Sequence, residues 1–265
     1  MVIRAQLSNA DLPSFEVVSI KPNPNRNPYA TAMAGGDVSH EMMRLTTVKF
    51  LITYAYNVRS FQVSGGPDWI GSDRFDIDAK PDDATLAKLE AMTRDETLAY
   101  RRLLYQSLLA DRFKLAVHHA TVEGAMYSLV VAKPGKLPVA KGDCPAPGAP
   151  HDPGVMPCGA TVLWPGHVEQ KSVPINTLVF SLTTLSGKLV LDNTHLTGTY
   201  DITLEWTPDS TRLGPPDPNS PFPAPDPNGP SLEEVLEEKL GLKLVPTTGP
   251  VDNIVIDHIE EPSPN

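Results

Sequence analysis

The chain has 265 residues, a formal net charge of −10, and 40% hydrophobic against 20% charged residues, a balance that excludes an intrinsically disordered chain. The acidic surplus argues against nucleic acid, whose binding relies on Lys and Arg neutralising phosphates. No run reaches the roughly 18 apolar residues that span a bilayer, so no transmembrane segment is expected.

In chain order, MVIRAQLSNADLPSF has no apolar core of signal-peptide length, yet Arg4-Ala5-Gln6 resembles the end of one, and a longer, trimmed precursor is expected. Met43-Arg44-Leu45 reads as a strand leading into a helix, where Val48, Leu51, Ile52 and Ala55 recur at i, i+3, i+4 and i+7. Ser64-Gly65-Gly66-Pro67 is a turn that sets Trp69 against the sheet. Phe75, Ile77 and Ala79 alternate as a half-buried strand does. Leu104 and Leu108 in RRLLYQSLLADRF mark a second helix, followed by a strand in RFKLAV and a closing strand at 127–132.

A Pro- and Gly-rich linker at 141–160 holds the two cysteines, Cys144 and Cys158. Their spacing excludes a CxxC metal or redox pair, and the expected state is a disulfide. A bridge closing about 15 residues removes roughly 3 kcal/mol of unfolded-chain entropy and persists in an oxidising compartment.

The pattern then repeats. His167-Val168-Glu169 leads into a helix with Ile175, Leu178, Val179 and Leu182 on one face, with Pro174 tolerated in its first turn. Tyr200, Ile202 and Leu204 match Phe75, Ile77 and Ala79. A helix with Leu232, Val235 and Leu236 runs into GLKLVP, and a strand at 253–258 closes the half. The expected fold is therefore α+β, with two tandem related βαββαβ modules at 13–140 and 161–262, each a small mixed sheet packed on helices. A proline-rich insertion at 207–230 reads as a surface loop. The modules look like the short N-terminal domains of secretins and TonB-dependent receptors, an analogy of fold that carries no function.

FEVVSIKPN, QVSGGPDWIGSDRFDIDAKP, SLLADRFKLAVHH, YSLVVAK, LTGTYDITLEW, LEEKLGLKL and VIDHIEEPS together resemble a soil-associated family of exported acidobacterial proteins. The resemblance implies a periplasmic or secreted protein, with some relatives forming extracellular parts of membrane-bound peptidases or sensors. It supplies no active site. His195 departs from it, since relatives tend to carry glycine there.

No GxSxG elbow, HExxH helix, Walker loop or Rossmann glycine pattern is present. His40-Glu41 lacks the second histidine of a zincin and is expected at the surface. His118 and His119 are strand neighbours facing opposite ways, one packed and one solvated. Asp76 and Asp201 share a repeat position, which points to pairing with a backbone donor. Asp192 and His195, three apart, are the candidate catalytic pair, the carboxylate orienting an imidazole base; a surface hydrogen bond is the plainer reading. Asp226, Asn228, Ser231 and Glu234 offer oxygen ligands for Ca2+ around Gly229, although an N-cap by Ser231 with Glu234 as its reciprocal partner accounts for the same residues.

The leading functional expectation is an exported binding or sensing module for a small molecule or peptide, because paired modules present sheet edges and grooves. The alternative is a hydrolase of small esters or lactones, such as signalling lactones, assisted by Ca2+. A structural or assembly role comes third.

Overall fold

The computed structural model describes residues 12–25, 33–141, 144, 155–208 and 226–262. Within them the chain is a mixed α+β fold with three small sheets. It divides into two compact units, one of residues 1–122 with 250–265 and one of residues 123–249. These units differ from the spans 13–140 and 161–262 expected from the repeat, for a reason that lies in two long strands.

In the first unit β1 (Val17–Asn23), β2 (Met33–Asp37), β3 (His40–Thr47) and β5 (Arg74–Lys80) form an antiparallel sheet of order β1-β5-β3-β2. The period-two residues Phe75, Ile77 and Ala79 face inward and are buried. Thr47 ends β3 and starts α1 (Val48–Tyr56), its hydroxyl accepting the Phe50 N–H at 3.2 Å. The helix stops at Asn57, which takes the left-handed conformation. Its buried face is Val48, Leu51, Ile52 and Ala55, as the spacing predicts. Each fully buried Leu or Ile contributes roughly 1.5–3 kcal/mol. Three further helices follow: α2 (Trp69–Ser72), α3 (Asp83–Ala91), which the hydrophobic pattern does not announce, and α4 (Arg94–Arg112). The last opens on a Thr93/Glu96 capping box and buries Leu104, Tyr105, Leu108 and Leu109.

In the second unit β7 (Thr161–Trp164), β8 (His167–Pro174) and β10 (Thr199–Glu205) form an antiparallel sheet of order β10-β8-β7. Residues 138–140 run along the outer side of β10, with Ala140 N donating to Thr199 O and Asp201 N to Pro138 O. Helix α5 (Ile175–Ser186) buries Ile175, Leu178 and Leu182 and ends at Gly187 in the left-handed region. Helix α6 (Leu232–Val235) continues as a π-helical turn over Leu236–Leu240. Gly241 ends it with φ of +68°, and a Cβ there would lie 2.1 Å from Lys133 O, so only glycine fits.

Both sheets carry the same irregularity. The β3/β5 register shifts between Met43 and Thr46, and Leu45 at φ 55° donates its N–H to Asp76 Oδ1 at 3.0 Å. The β8/β10 register shifts beside Tyr200, and Ser172 at φ 50° donates its N–H to Asp201 Oδ1 at 2.9 Å. Each bulge orphans a backbone donor that an aspartate satisfies.

The long strands are β6 (Ala116–Val131) and β11 (Leu242–His258). The sequence reading breaks each into two strands, RFKLAV with 127–132 and GLKLVP with 253–258, where the structure has one. Pro246 and Pro250 are tolerated because β4 (Val63–Gly65) pairs only with Ile254–Ile256, leaving β11 one strand neighbour where the prolines lie. Each long strand belongs partly to each unit. Ile254 and Ile256 join the core of the first unit, and Leu129 joins that of the second. The short strands follow suit: β4 runs parallel to Ile254–Ile256, and β9 (Val190–Asp192) runs parallel to Tyr127–Leu129.

Cys144 and Cys158 form a disulfide. No helix among the described residues is long and apolar enough to cross a membrane. Most of the 207–230 insertion lies outside the described residues. Its two ends are bonded to each other, Thr207 N to Pro230 O at 2.8 Å and the Thr207 hydroxyl to Asp226 O.

Candidate functional site

Asp192 and His195 are not brought together as a pair among the described hydrogen bonds. The Asp192 carboxylate accepts from Thr194 N at 2.9 Å and from the Thr194 hydroxyl at 2.7 Å, closing a local turn. His195 is exposed and sits at φ 56°. The candidate calcium ligands are likewise committed to the backbone. Asp226 Oδ1 accepts from Asn228 N at 2.9 Å, while Ser231 and Glu234 form a reciprocal capping box, Ser231 N to Glu234 Oε2 at 2.8 Å and Glu234 N to Ser231 Oγ at 3.3 Å. These oxygens serve a helix start. Among the described residues no three His, Cys, Asp or Glu side chains are gathered as a metal would require.

Two histidine expectations change in detail. His118 and His119 are both exposed; His118 Nδ1 lies 2.8 Å from Asp257 Oδ1, and His119 meets the Tyr56 ring edge-on. Glu41 is the larger correction. It is 2% exposed, and its Oε2 accepts from Arg101 Nη2 and from the Tyr105 hydroxyl. Burial, with Glu41 beside it, pushes the Tyr105 hydroxyl far above the usual phenol range, so it stays protonated and donates. Glu41 Oε1 is buried without a hydrogen-bond partner among the described residues. The alternation of Glu41 with buried Met43 on β3 is the signal that could have placed it inside. The expected turn at Ser64-Gly65-Gly66-Pro67 is in part strand: Ser64 and Gly65 belong to β4, Gly65 and Gly66 both take φ of +78°, and a Cβ on Gly65 would lie 2.8 Å from Ile256 O.

The concave feature with the richest chemistry lies wholly within the 123–249 unit. Trp164 ends β7, and the Pro165-Gly166 turn returns the chain into β8, with Gly166 at φ 86°. That turn folds the His167 ring flat beneath the Trp164 indole, with centroids 3.7 Å apart and planes 4° from parallel. His167 stands 3.6 Å from Glu205 and 3.9 Å from Glu169, outside hydrogen-bond range of both. Trp206, just past β10, donates its backbone N–H to Gly166 O at 3.0 Å. Tyr127 on β6 contributes a third ring, with Lys188 Nζ 5.1 Å from its centroid. The end of α5, the start of α6 and Leu244 complete a groove of about 660 Å³, within the range of small-molecule sites.

The polar lining is one-sided. The hydroxyls of Thr184, Ser186, Thr207 and Ser231 donate to Phe180 O, Lys188 O, Asp226 O and Glu234 Oε2 respectively, while Ser186 Oγ also accepts from Lys188 N and Ser231 Oγ from Glu234 N, so the groove meets them through their remaining lone pairs. Glu233 is exposed and is the one charged residue of the lining. A second hollow, of about 480 Å³ beside Phe15 and Arg112 in the other unit, has both of its cations bonded to backbone carbonyls. Arg112 donates to Val18 O and Lys114 to Asp111 O.

The groove was not legible in the sequence. Its aromatics come from three separate stretches with no shared periodicity, on β7, β6 and just past β10, and only the tertiary fold brings them together.

Fold and groove together define a mixed α+β protein with an aromatic-lined groove in one of its two units. A family model described as "Protein of unknown function (DUF3738)" matches residues 49–259, and the chain belongs to that family. No curated protein and no solved structure matches it.

Proposed function

We propose that the chain is an extracytoplasmic binding or sensing module for a small molecule or peptide, and that the Trp164 groove is its site. The observation that carries this reading is the indole of Trp164 held parallel to His167 at 3.7 Å beside an open hollow. A large ring fixed before the ligand arrives offers contact area at little ordering cost. The Cys144–Cys158 bridge supports a periplasmic or secreted setting, since such bonds persist in oxidising compartments. The shared aspartate-capped bulges and the crossed pairing of β4 and β9 support a duplicated βαββαβ ancestor. The resemblance to the soil-associated acidobacterial group accords with export.

No specific observation favours hydrolysis of esters or lactones, because Asp192 is committed to Thr194. The test is a ligand screen by tryptophan fluorescence and thermal shift on the whole chain and on Trp164→Ala. The reading expects hits whose signal disappears in the variant. Hits unaffected by Trp164→Ala would move the site elsewhere, and ester or lactone turnover abolished by His195→Ala would replace the reading with an enzymatic one.

A further inference from the structure

We infer that the Trp164 groove takes an organic cation, an ammonium-type group carried on an apolar body. This rests on the groove being the binding site and adds the charge class of its ligand. Three independent features agree. The walls are aromatic, from Trp164, Trp206 and Tyr127, and ring faces attract cations, more strongly when water is excluded. The lining contains no Lys or Arg, and its one charge is the Glu233 carboxylate. The four lining hydroxyls of Thr184, Ser186, Thr207 and Ser231 have their protons engaged inside the protein, so these four groups meet a ligand as acceptors.

An anionic ligand would meet the Glu233 carboxylate and no cation of the lining, with Lys188, over the Tyr127 ring, outside it. The start of α6 is the one element whose dipole would favour an anion, and the Glu234 carboxylate already caps it. A neutral polyol can donate to these acceptors and to Glu233, but it gains no charge attraction from the carboxylate, which an ammonium does. Tyr127 gives the local precedent, for Lys188 Nζ lies over its ring at 5.1 Å. That ammonium also lies beside the groove as a competitor, so its removal favours an incoming cation.

The probes are choline and its neutral isostere 3,3-dimethylbutan-1-ol, titrated into the whole chain and followed by tryptophan fluorescence and NMR. Choline should bind about fivefold or more tightly than the isostere. Glu233→Gln should weaken choline about threefold to tenfold and leave the isostere unchanged, while Lys188→Met should tighten choline; melting curves establish that each variant is folded. Equal affinity for the two probes, or a Glu233→Gln variant that binds choline normally, overturns the charge assignment and leaves the groove reading standing. Binding of a neutral disaccharide that depends on Trp164, without choline binding, does the same. If no probe of either charge perturbs the groove and Trp164→Ala is silent in the wider ligand screen, the proposed function itself fails.

Discussion

Asp76 and Asp201 each answer for one bulge, and their carboxylates can be separated experimentally from the strands that carry them. Asp201 is held below the usual carboxylate range first by its hydrogen bond from Lys171, at 2.7 Å, and further by the Ser172 N–H. A depressed folded value means the stabilisation is fully present above the unfolded value of about 3.9 and is lost as pH falls through the folded one. Asp201→Asn should therefore flatten the fall in melting temperature as pH drops below about 4. An unchanged acid limb would show that the pair contributes nothing. Glu41 and Arg101 behave asymmetrically. Arg101→Met strands a carboxylate that is 3% exposed, and should cost about 3 kcal/mol in denaturant unfolding. The double variant Glu41→Leu with Arg101→Met should recover much of that loss. Equal destabilisation in both would mean that packing, not charge, is at stake. The two aspartates were legible because repetition marks them. Glu41 was not, since its partners stand 60 and 64 residues away and a lone acidic residue looks like surface.

Among the elements, α1, α5, β5 and β10 follow from apolar spacing alone, whereas the three-residue strands β4 and β9 are too short to carry a period. The start of α6 was readable in two ways, as a calcium loop or a capping box, because both use Ser and Glu oxygens. The hydrogen bonds favour the cap. Ser231→Ala should then cost about 1 kcal/mol, and calcium or EDTA should leave the melting temperature of the unaltered chain unchanged. A calcium-dependent rise that Ser231→Ala abolishes would restore the cation site.

At the scale of the molecule, β6 and β11 decide what folds with what. A fragment of residues 13–140 lacks Ile254 and Ile256 from its core and the partner of β4, and a fragment of residues 161–262 lacks Leu129 and the partner of β9. Neither fragment should show a cooperative melt alone, while residues 13–140 mixed with 141–262 should regain one. Independent folding of either piece would contradict the strand assignments. Sequence periodicity could not reveal this, since it reports which residues of a strand are buried and not which strand lies beside them.

The most direct test of the binding site is an NMR map of ligand-induced shifts on the isotope-labelled whole chain, using whichever compounds the ligand screen returns. The groove reading predicts shifts concentrated at Tyr127, Trp164, Trp206 and Glu233, with the Trp69 indole, which belongs to the other unit, unmoved. Shifts centred instead on the hollow beside Phe15 and Arg112, or on Asp192 and His195, would contradict it.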